Sequence, residues 1–327
     1  MEKVSVIIPC YNGEKFIDRS IKSIYMQEYP EIELIVVDDG STDNSKKKIL
    51  AWESTLKDKG LELKYIYQNN AGPGAAINKG LKYVTGEYIS LLDADDEYLP
   101  GAIIEKVQYL QQNSDMDVVR SNGWMVKGDN KFLFINDENE KAIEDVFLAL
   151  LRGETNNWAG SYMVRAKSLF DFYPDREIYQ SRFGQNLQFL LPLTYKKKCG
   201  FIDKPHMNYI QQENSLSQAK DKQELLRKSL ENAAGYRDIR IHMLNLIVSD
   251  IKENASYVNE IDKSYWKSIM LFSVYNNDKH LMIQAYKNKL KYEKPSIDDK
   301  ITYYRVVSPY RAFLYRIIRK IYSLLKK

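Results

Sequence analysis

Acidic and small polar residues follow four apolar segments within the first hundred residues. They are Pro9-Cys10-Tyr11-Asn12-Gly13-Glu14, Asp38-Asp39-Gly40-Ser41, Asn69-Asn70-Ala71-Gly72-Pro73-Gly74 and Asp93-Ala94-Asp95-Asp96. Three acids within four residues repel one another, and a divalent cation that prefers oxygen ligands, Mg²⁺ or Mn²⁺, relieves that repulsion. The pattern favours a cation between the protein and a diphosphate. The alternative is that each acid only caps a helix or closes a turn.

The apolar segments themselves predict parallel strands joined by helices. Strands are expected at 4–8, 32–37, 61–67 and 87–92, and their starts recur about every 30 residues, the length of a βαβ unit. A helix is predicted from Phe16 to Tyr25, with Pro30 as its stop, and Ser41-Thr42-Asp43 is expected to cap the next helix. The sequence therefore predicts a doubly wound α/β sheet. The four polar stretches would lie together at the carboxyl ends of its strands.

The rest of the chain changes character after residue 217. A helix is predicted from Leu99 to Gln112 and a strand from Asp117 to Ser121, followed by a mixed pattern. Long segments of helical period then fill residues 218–327. We expect a nucleotide-binding domain at 1–217 and a mainly helical region at 218–327.

Charge is unevenly distributed along the chain. The net charge is +4, but all eight charged residues after Asp299 are basic, which leaves −4 for residues 1–299. A mildly acidic body argues against a nucleic-acid-binding protein. The first βα turn contains one glycine, Gly13, which disfavours a nicotinamide-binding fold, and the chain has no Walker A motif.

Other features concern the location of the protein. Cys10 and Cys199 support neither a disulfide framework nor a structural zinc site. The first residues lack the apolar run of a signal peptide, and no window approaches 18 apolar residues, so a cytoplasmic protein is expected.

The basic tail predicts an amphipathic helix over about 308–327, with Ser308 as cap and Pro309 in its first turn. Its apolar residues are Phe313, Leu314, Ile317, Ile318, Ile321, Leu324 and Leu325, and Arg316, Arg319, Lys320, Lys326 and Lys327 fall largely elsewhere. Such a helix can lie in the interface of a membrane with anionic lipids. The alternative is docking on the body of the protein or on a second subunit in a homodimer.

Four motifs, in this order and spacing, resemble the family-2 glycosyltransferases. They are Ser5-Val6-Ile7-Ile8-Pro9-Cys10-Tyr11-Asn12, Val36-Val37-Asp38-Asp39-Gly40-Ser41-Thr42-Asp43, Asn70-Ala71-Gly72-Pro73-Gly74-Ala75-Ala76-Ile77-Asn78-Lys79-Gly80 and Asp93-Ala94-Asp95-Asp96. The resemblance implies a GT-A fold and inverting transfer from a nucleotide-activated sugar, usually a UDP-sugar, to an acceptor hydroxyl. It also suggests a lipid-linked acceptor at the inner face of the membrane, in bacterial capsule or exopolysaccharide synthesis.

The resemblance implies roles for individual residues. Pro9, Tyr11 and Glu14 would line the nucleoside pocket, Asp39 would bind the base, and Asp38 would support the loop. Asp93 would lie near the ribose or sugar, Asp95 would bind the metal, Mn²⁺ or Mg²⁺, and Asp96 would touch the donor sugar. The remaining donor-binding residues would be Asn70, Gly74, Asn78 and Ala94. A metal at the diphosphate would stabilise the negative charge that develops on the leaving group.

Two positions depart from the family pattern. Ile77 stands where the family usually has an Arg that faces the nucleotide. Asn186, in Gly184-Gln185-Asn186-Leu187, stands at the position of the catalytic base, and an amide cannot take up a proton at neutral pH. Gln185 and Asn186 could bind the acceptor or merely begin a helix.

The base must therefore come from elsewhere or be absent. Asp175, Glu177 or Asp96 could reach the acceptor, the substrate could supply its own base, or catalysis could be weak. A binding homologue without catalysis and a scaffold protein with a basic tail are the rival functions.

Two further residues could contact a metal or the acceptor. His206 could complete the metal shell or be a satisfied side chain, and Trp158 could stack on an acceptor sugar or pack in the core.

Overall fold

The computed structural model describes residues 1–156, 158–211 and 221–325, with only the backbone for 321–325. Chain contacts divide the molecule into two compact units. The first unit contains residues 1–150 and 154–213, and the second contains residues 151–153 and 214–327. The predicted boundary at residue 217 lies outside the described residues.

A mixed sheet forms the first unit. Its strands within the described residues are β1 (Val4–Cys10), β2 (Ile32–Asp39), β3 (Glu62–Gln68), β4 (Tyr88–Leu91), β5 (Glu97–Tyr98), β6 (Val118–Lys127), β7 (Asn130–Leu133), β8 (Tyr162–Arg165) and β9 (Gly200–Ile210). They lie in the order β3-β2-β1-β4-β8-β6-β9-β5, and β7 pairs with β6. Strands β1 to β4 are mutually parallel where they pair, whereas β8 is antiparallel to β4 and to β6.

The helices of the chain up to residue 211 connect these strands. They are α1 (Ile17–Tyr25), α2 (Ser45–Leu50), α3 (Glu53–Asp58), α4 (Pro73–Leu81), α5 (Ala102–Gln112), α6 (Glu138–Lys141), α7 (Val146–Arg152), α8 (Ala166–Phe172) and α9 (Gln185–Thr194). The eight residues of β2 are all buried, which explains its unbroken apolar run before Asp38. The predicted α/β class is confirmed.

The order of strands places a topological switch next to β1. The chain runs outward from β1 to β2 and β3, then returns to place β4 on the other side of β1. Loops after β1 and β4 therefore diverge and leave a crevice at the carboxyl edge, where open α/β sheets bind ligands. A ligand site is therefore expected at this crevice.

Two local expectations need correction. The second helix begins at Ser45 after Asn44. Asp43 Oδ1 does accept from the backbone N–H of Ser45 at 2.9 Å, whereas Ser41 Oγ accepts from the backbone N–H of Asn12 in the first loop. The helix predicted from Leu99 begins at Ala102, after Gly101 adopts a left-handed conformation with φ +82°.

The second unit is helical, as predicted for the C-terminal region. Its helices are α10 (Lys222–Ile247), α11 (Ile251–Asn276), α12 (Lys279–Lys289), α13 (Ile297–Val307) and α14 (Pro309–Leu325). Its core contains Ile269, Met270, Met282 and Ala285. Among the described residues no helix is both long and apolar enough to span a membrane.

The last helix begins at Pro309, as predicted, and Ser308 directly before it is also the C-cap residue of α13. Phe313, Leu314, Ile317 and Ile318 are exposed to between 40% and 58%. The side chains of Ile321, Leu324 and Leu325, and all of Lys326 and Lys327, lie outside the described residues.

Candidate active site

The loops after β1 and β2 are joined by reciprocal hydrogen bonds. The backbone N–H of Asn12 donates to Ser41 Oγ at 2.9 Å, and that of Thr42 donates to Asn12 Oδ1 at 2.8 Å. Glu14 Oε2 accepts from the backbone N–H of Asn44 at 2.7 Å. Glu14 thus fixes the loops, while Tyr11 is 53% exposed beside them. Pro9 belongs to β1 itself.

The two aspartates at the end of β2 organise the neighbouring segments. Asp38 accepts from the backbone N–H of Ser41 at 2.8 Å and from the Tyr65 hydroxyl at 2.7 Å, so it supports the loop as predicted. Asp39 accepts from the backbone N–H groups of Ala71 at 2.9 Å and Gly72 at 2.8 Å. Asp39 therefore shapes the loop after β3, and its contact with a base stays a prediction.

The loop after β3 leads into α4. Asn70 is exposed at its tip, whereas Gly74 is buried. Asn78 is also buried. Its side-chain Oδ1 accepts from the backbone N–H of Ile178 at 2.8 Å, and its Nδ2 donates to the Ile178 carbonyl oxygen at 2.9 Å. Ile77 is 4% exposed, which explains how an apolar residue is accommodated where the family pattern has Arg.

The acidic residues after β4 are the most perturbed group of the crevice. Burial, followed by repulsion from Asp95, raises the pKa of Asp93 to about 7. Burial raises the pKa of Asp95 too, against the opposing effect of Arg19. The pKa of Asp96 lies well above its ordinary value because of burial and then Asp93. Each of the three carboxyl groups is therefore harder to ionise than a free aspartate, and a bound cation would offset that effect.

This donor set fits a divalent cation in part. The ligand atoms are hard carboxylate oxygens, and Asp96 Oδ2 is buried without a hydrogen-bond partner. In the described part of the chain, however, no three Asp, Glu, His or Cys side chains converge as a metal site. A cation held here by Asp95 would need oxygens from a bound ligand, which suits a diphosphate.

Arg19 and the backbone of β9 hold the acidic segment in place. Arg19 Nη2 on α1 donates to the carbonyl oxygen of Asp95, and the Ile210 N–H donates to Asp96 Oδ1 at 2.9 Å. Neither contact was predicted. Arg19 lies 76 residues before Asp95 without a motif that marks it, so only the three-dimensional structure connects them.

Asn186 lies beside a buried tyrosine that the sequence analysis missed. The Tyr162 hydroxyl on β8 donates to Asn186 Oδ1 at 2.8 Å, and burial followed by the charge of Asp93 raises the pKa of Tyr162. Because Oδ1 accepts this bond, the Asn186 amide nitrogen is left to donate elsewhere. The helix does begin at Gln185, but it has no side-chain cap, and Gln185 Nε2 donates to the Ser181 carbonyl at 2.7 Å.

The three alternative bases have different surroundings. Glu177 forms an ion pair with Lys82 at 2.5 Å, and Asp175 is exposed. Asp96 is fully buried in the acidic group. Of the three, only Asp96 shares the electrostatic environment of Asp93 and Asp95.

Trp158 and His206 both have protein partners. The Trp158 ring stacks on Tyr209 at 5.4 Å and meets Phe134 edge-on at 4.1 Å. His206 is fully buried, with Nε2 3.1 Å from Glu105, and burial followed by Lys106 lowers its pKa to about 4. Acceptor stacking and metal binding by these residues stay predictions.

Comparison with known sequences identifies the family of this chain. A profile of the family described as "Glycosyl transferase family 2" matches residues 5–179, which is more than half of the chain. The protein therefore belongs to glycosyl transferase family 2.

Relatives by sequence carry similar names. Glycosyltransferase GlyG of Streptococcus pneumoniae is 28% identical over 82% of this chain and 94% of its own length. A GalNAc(5)-diNAcBac-PP-undecaprenol beta-1,3-glucosyltransferase of Campylobacter jejuni is 30% identical over 64% and 65%. The matches to uncharacterized glycosyltransferases of Rickettsia conorii and Nostoc, at 36% and 35% identity, cover 45% and 46% of this chain but only 24% and 46% of those proteins.

Solved structures show the fold. S. aureus TarS 1–349 in complex with UDP-GlcNAc has a TM-score of 0.59 at 17% identity, over 98% of this chain and 92% of that one. The mannosyltransferase PcManGT from Pyrobaculum calidifontis, in complex with GDP-Man and Mn²⁺, has a TM-score of 0.51 at 17% identity, over 100% and 88%. The predicted GT-A architecture with a helical C-terminal region is confirmed.

Proposed function

We propose that this glycosyltransferase moves a sugar from a UDP-sugar to an acceptor hydroxyl with inversion, in a reaction that depends on Mn²⁺ or Mg²⁺. The observation that carries the proposal is the group of three carboxyl groups after β4, of which Asp96 is buried and Asp93 and Asp95 are half-buried, beside the crevice at β1. The complex of TarS with UDP-GlcNAc supports a UDP-sugar as donor, and the complex of PcManGT with Mn²⁺ supports a metal.

The donor would lie across the loops after β1 to β4. Tyr11 offers an exposed ring for the nucleoside, and Asp39 holds the loop that begins with Asn70. Asp95 would hold the metal, with Asp93 nearby toward the ribose or sugar. The metal, when bound, supplies positive charge that stabilises the leaving diphosphate.

The acceptor side would be formed by α9 and β8. In inverting transfer the acceptor oxygen attacks the anomeric carbon from the face opposite the leaving diphosphate, and it loses its proton to a base. Asn186 cannot take that proton, but its amide nitrogen can orient the acceptor oxygen. Asp96 has a buried oxygen without a partner and is the carboxylate we propose as proton acceptor or donor-sugar contact.

A second candidate function is supported by Asn186 itself. A homologue that binds a nucleotide-sugar but transfers it slowly or not at all would keep the acidic group and the loops and lose only the base. Release of UDP from a UDP-sugar separates the two functions, because a binding homologue would leave the donor intact.

We also propose a lipid-linked acceptor at the inner face of the cell membrane, as in bacterial surface polysaccharide synthesis. The name of the Campylobacter relative includes an undecaprenol-linked acceptor, and α14 carries exposed Phe313, Ile317 and Ile318 together with basic residues. Association of two copies through the same helix is the alternative use of this surface.

The proposal is tested first by calorimetric titration of UDP and GDP, with and without Mn²⁺. We expect UDP to bind more tightly with Mn²⁺, and Asp95→Ala to abolish this gain. Asp115→Ala, which removes an exposed carboxylate of the same unit, is the matched control. Absence of binding of either nucleotide to the unmodified protein would overturn the donor assignment.

A further inference from the structure

A polar pocket lies inside the helical unit, between α10 and α11. The lining residues on α10 lie between Ser229 and Arg240, and those on α11 lie between Ile261 and Phe272. Within each helix they recur every three or four residues, so they belong to one face of that helix. Packed helices usually fill such faces with apolar side chains. Here the two faces leave a cavity of about 290 Å³, near the lower end of the size of small-molecule sites.

The charged side chains that line this pocket are all hydrogen-bond donors. Three guanidinium groups, those of Arg152, Arg237 and Arg240, line it, and none of its lining residues is acidic. A guanidinium donates and cannot accept, so a ligand that hydrogen-bonds to it must bring acceptor oxygens. The chemistry of the lining therefore selects an anion.

Two of the arginines are held in position from outside the lining. Arg152 Nε donates to Glu260 Oε2 at 2.8 Å, and Arg237 Nε donates to Asp262 Oδ1 at 2.6 Å. The Ser264 hydroxyl also fixes the Arg152 carbonyl. These contacts reduce the conformational freedom that the arginines would lose on binding a ligand.

Arg240 brings a further charge into the pocket. Burial lowers its pKa to about 10, so it is protonated at neutral pH. Its Nη2 lies against Gly153, where an added Cβ would be 2.9 Å away, and the φ of Gly153 is +68°. A side chain at residue 153 would displace this guanidinium, which explains the glycine.

Aromatic rings flank the guanidinium groups. Arg240 lies over the Tyr236 ring at 5.6 Å, and Arg237 lies over the Tyr265 ring at 5.5 Å. Both tyrosines belong to the pocket lining. Arginine pairs bind both carboxylate and phosphate, and phosphate is favoured where several guanidinium groups converge. The two tyrosine rings suit the apolar face of an organic group.

We propose that the pocket binds a phosphate ester, with its phosphate at Arg237 and Arg240 and its organic group between Tyr236 and Tyr265. The site lies within the helical unit and is separate from the residues proposed for the donor. It does not depend on the identity of the donor sugar.

The test is calorimetric titration of the full chain with glucose 1-phosphate, inorganic phosphate and glucose, at constant ionic strength. We expect saturable binding of glucose 1-phosphate, weaker binding of inorganic phosphate, and none of glucose. Arg240→Gln should weaken binding about tenfold or more, the loss of one charge-assisted contact. Arg227→Gln is the matched control, because Arg227 lies on the same helix but is exposed and paired with Glu231.

A second variant separates loss of the site from loss of the fold. Ser229→Leu keeps all three arginines and fills the cavity, so it should also abolish binding while the circular dichroism spectrum is unchanged. Absence of saturable heat with both phosphate compounds would overturn the proposal, as would equal binding of glucose, or unchanged binding in both Arg240→Gln and Ser229→Leu. UDP binding, measured in the same samples, reports separately on the proposed function.

Discussion

At the scale of single residues, the hydrogen bond between Tyr162 and Asn186 determines which side chains residue 186 can accommodate. The tyrosine hydroxyl donates to the amide oxygen at 2.8 Å, and a carboxylate at residue 186 would accept the same bond. Asn186→Asp would thus add a proton acceptor without changing the hydrogen-bond pattern. This makes the departure from the family pattern directly testable.

We expect Asn186→Asp to increase the release of UDP from UDP-GlcNAc with water as acceptor. A positioned general base contributes about 10²–10⁴-fold to a rate, so an increase of at least tenfold is expected. UDP affinity should stay unchanged, because the proposed role of residue 186 is toward the acceptor. Asn186→Ala is the control and should show no increase. An Asn186→Asp variant no faster than the unmodified protein would shift the base to another carboxylate, with Asp96 first.

Glu33 shows a residue-scale effect on stability rather than on catalysis. Its side chain is fully buried, and although burial by itself raises the pKa, the Lys64 ammonium at 2.7 Å and hydrogen bonds from Ser5 and Thr85 lower it to about 2. An unfolded glutamate has a pKa of about 4.3. The folded state therefore binds the proton less tightly than the unfolded state does.

We expect Glu33 to stabilise the protein by about 3 kcal/mol at neutral pH, from the difference between the two pKa values. This contribution is complete above the unfolded pKa and is lost as the pH falls through about 2. Urea unfolding at several pH values should show Glu33→Gln strongly destabilised at pH 7 and less so at pH 3. Glu62→Gln is the control, because Glu62 also contacts Lys64 but is 50% exposed. If the loss of unfolding free energy in Glu33→Gln did not change with pH, the lowered pKa of Glu33 would be contradicted.

At the scale of elements, the loop after β2 depends on a close approach to the loop after β3. Gly40 has a φ of +77°, and a Cβ there would lie 2.6 Å from the backbone nitrogen of Asn70. Gly60 has a similar φ of +83°, but nothing lies within 4 Å of an added Cβ. The two glycines therefore differ only in the space around them.

We expect Gly60→Ala to cost about 1–2 kcal/mol of stability, the penalty of a left-handed backbone for alanine. Gly40→Ala should cost more and should also weaken UDP binding, because it displaces the loop that carries Asn70. Unfolding curves and UDP titrations of the two variants measure both effects. Equal losses of stability and unchanged UDP binding in both variants would contradict a role of this approach in donor binding.

The same elements show what sequence can predict. Strands β1 and β2 and helix α1 were predicted within two residues because their apolar periodicity is local and their ends carry Pro or Asp. Strand β8 and the contact of Tyr162 with Asn186 were missed, because β8 is only four residues long and its partners β4 and β6 are distant in sequence. The acidic group was predicted from its motif, but the support from Arg19 and Ile210 exists only in three dimensions.

At the scale of the whole molecule, charge is segregated toward the last helix. Helix α14 has exposed apolar residues together with exposed Arg316, Arg319 and Lys320. Its first turns pack on α13, where Tyr304 and Tyr315 stack at 5.5 Å. An exposed surface that is both apolar and basic complements the interface of an anionic membrane.

We expect the protein to sediment with phosphatidylglycerol-containing vesicles and not with phosphatidylcholine vesicles. Each cation near an anionic surface contributes at most about 1 kcal/mol, so Arg316→Gln, Arg319→Gln and Lys320→Gln together should weaken binding by up to the order of a hundredfold. Lys252→Gln, Lys267→Gln and Lys279→Gln remove the same charge from exposed positions of the same unit and serve as the control.

The apolar half of this surface decides between a membrane and a second copy of the chain. Phe313→Ser with Ile317→Ser should abolish vesicle binding even at low salt, because charge alone gives weak attachment, and should leave UDP binding intact because both residues lie in the helical unit. Analytical ultracentrifugation of the unmodified protein and of the same variant measures whether this face joins two copies of the chain. A dimer of the unmodified protein that dissociates in the Ser variant, without any affinity for vesicles, would assign this face to self-association. A monomer that binds anionic vesicles through both its charges and its apolar side chains would assign it to the membrane.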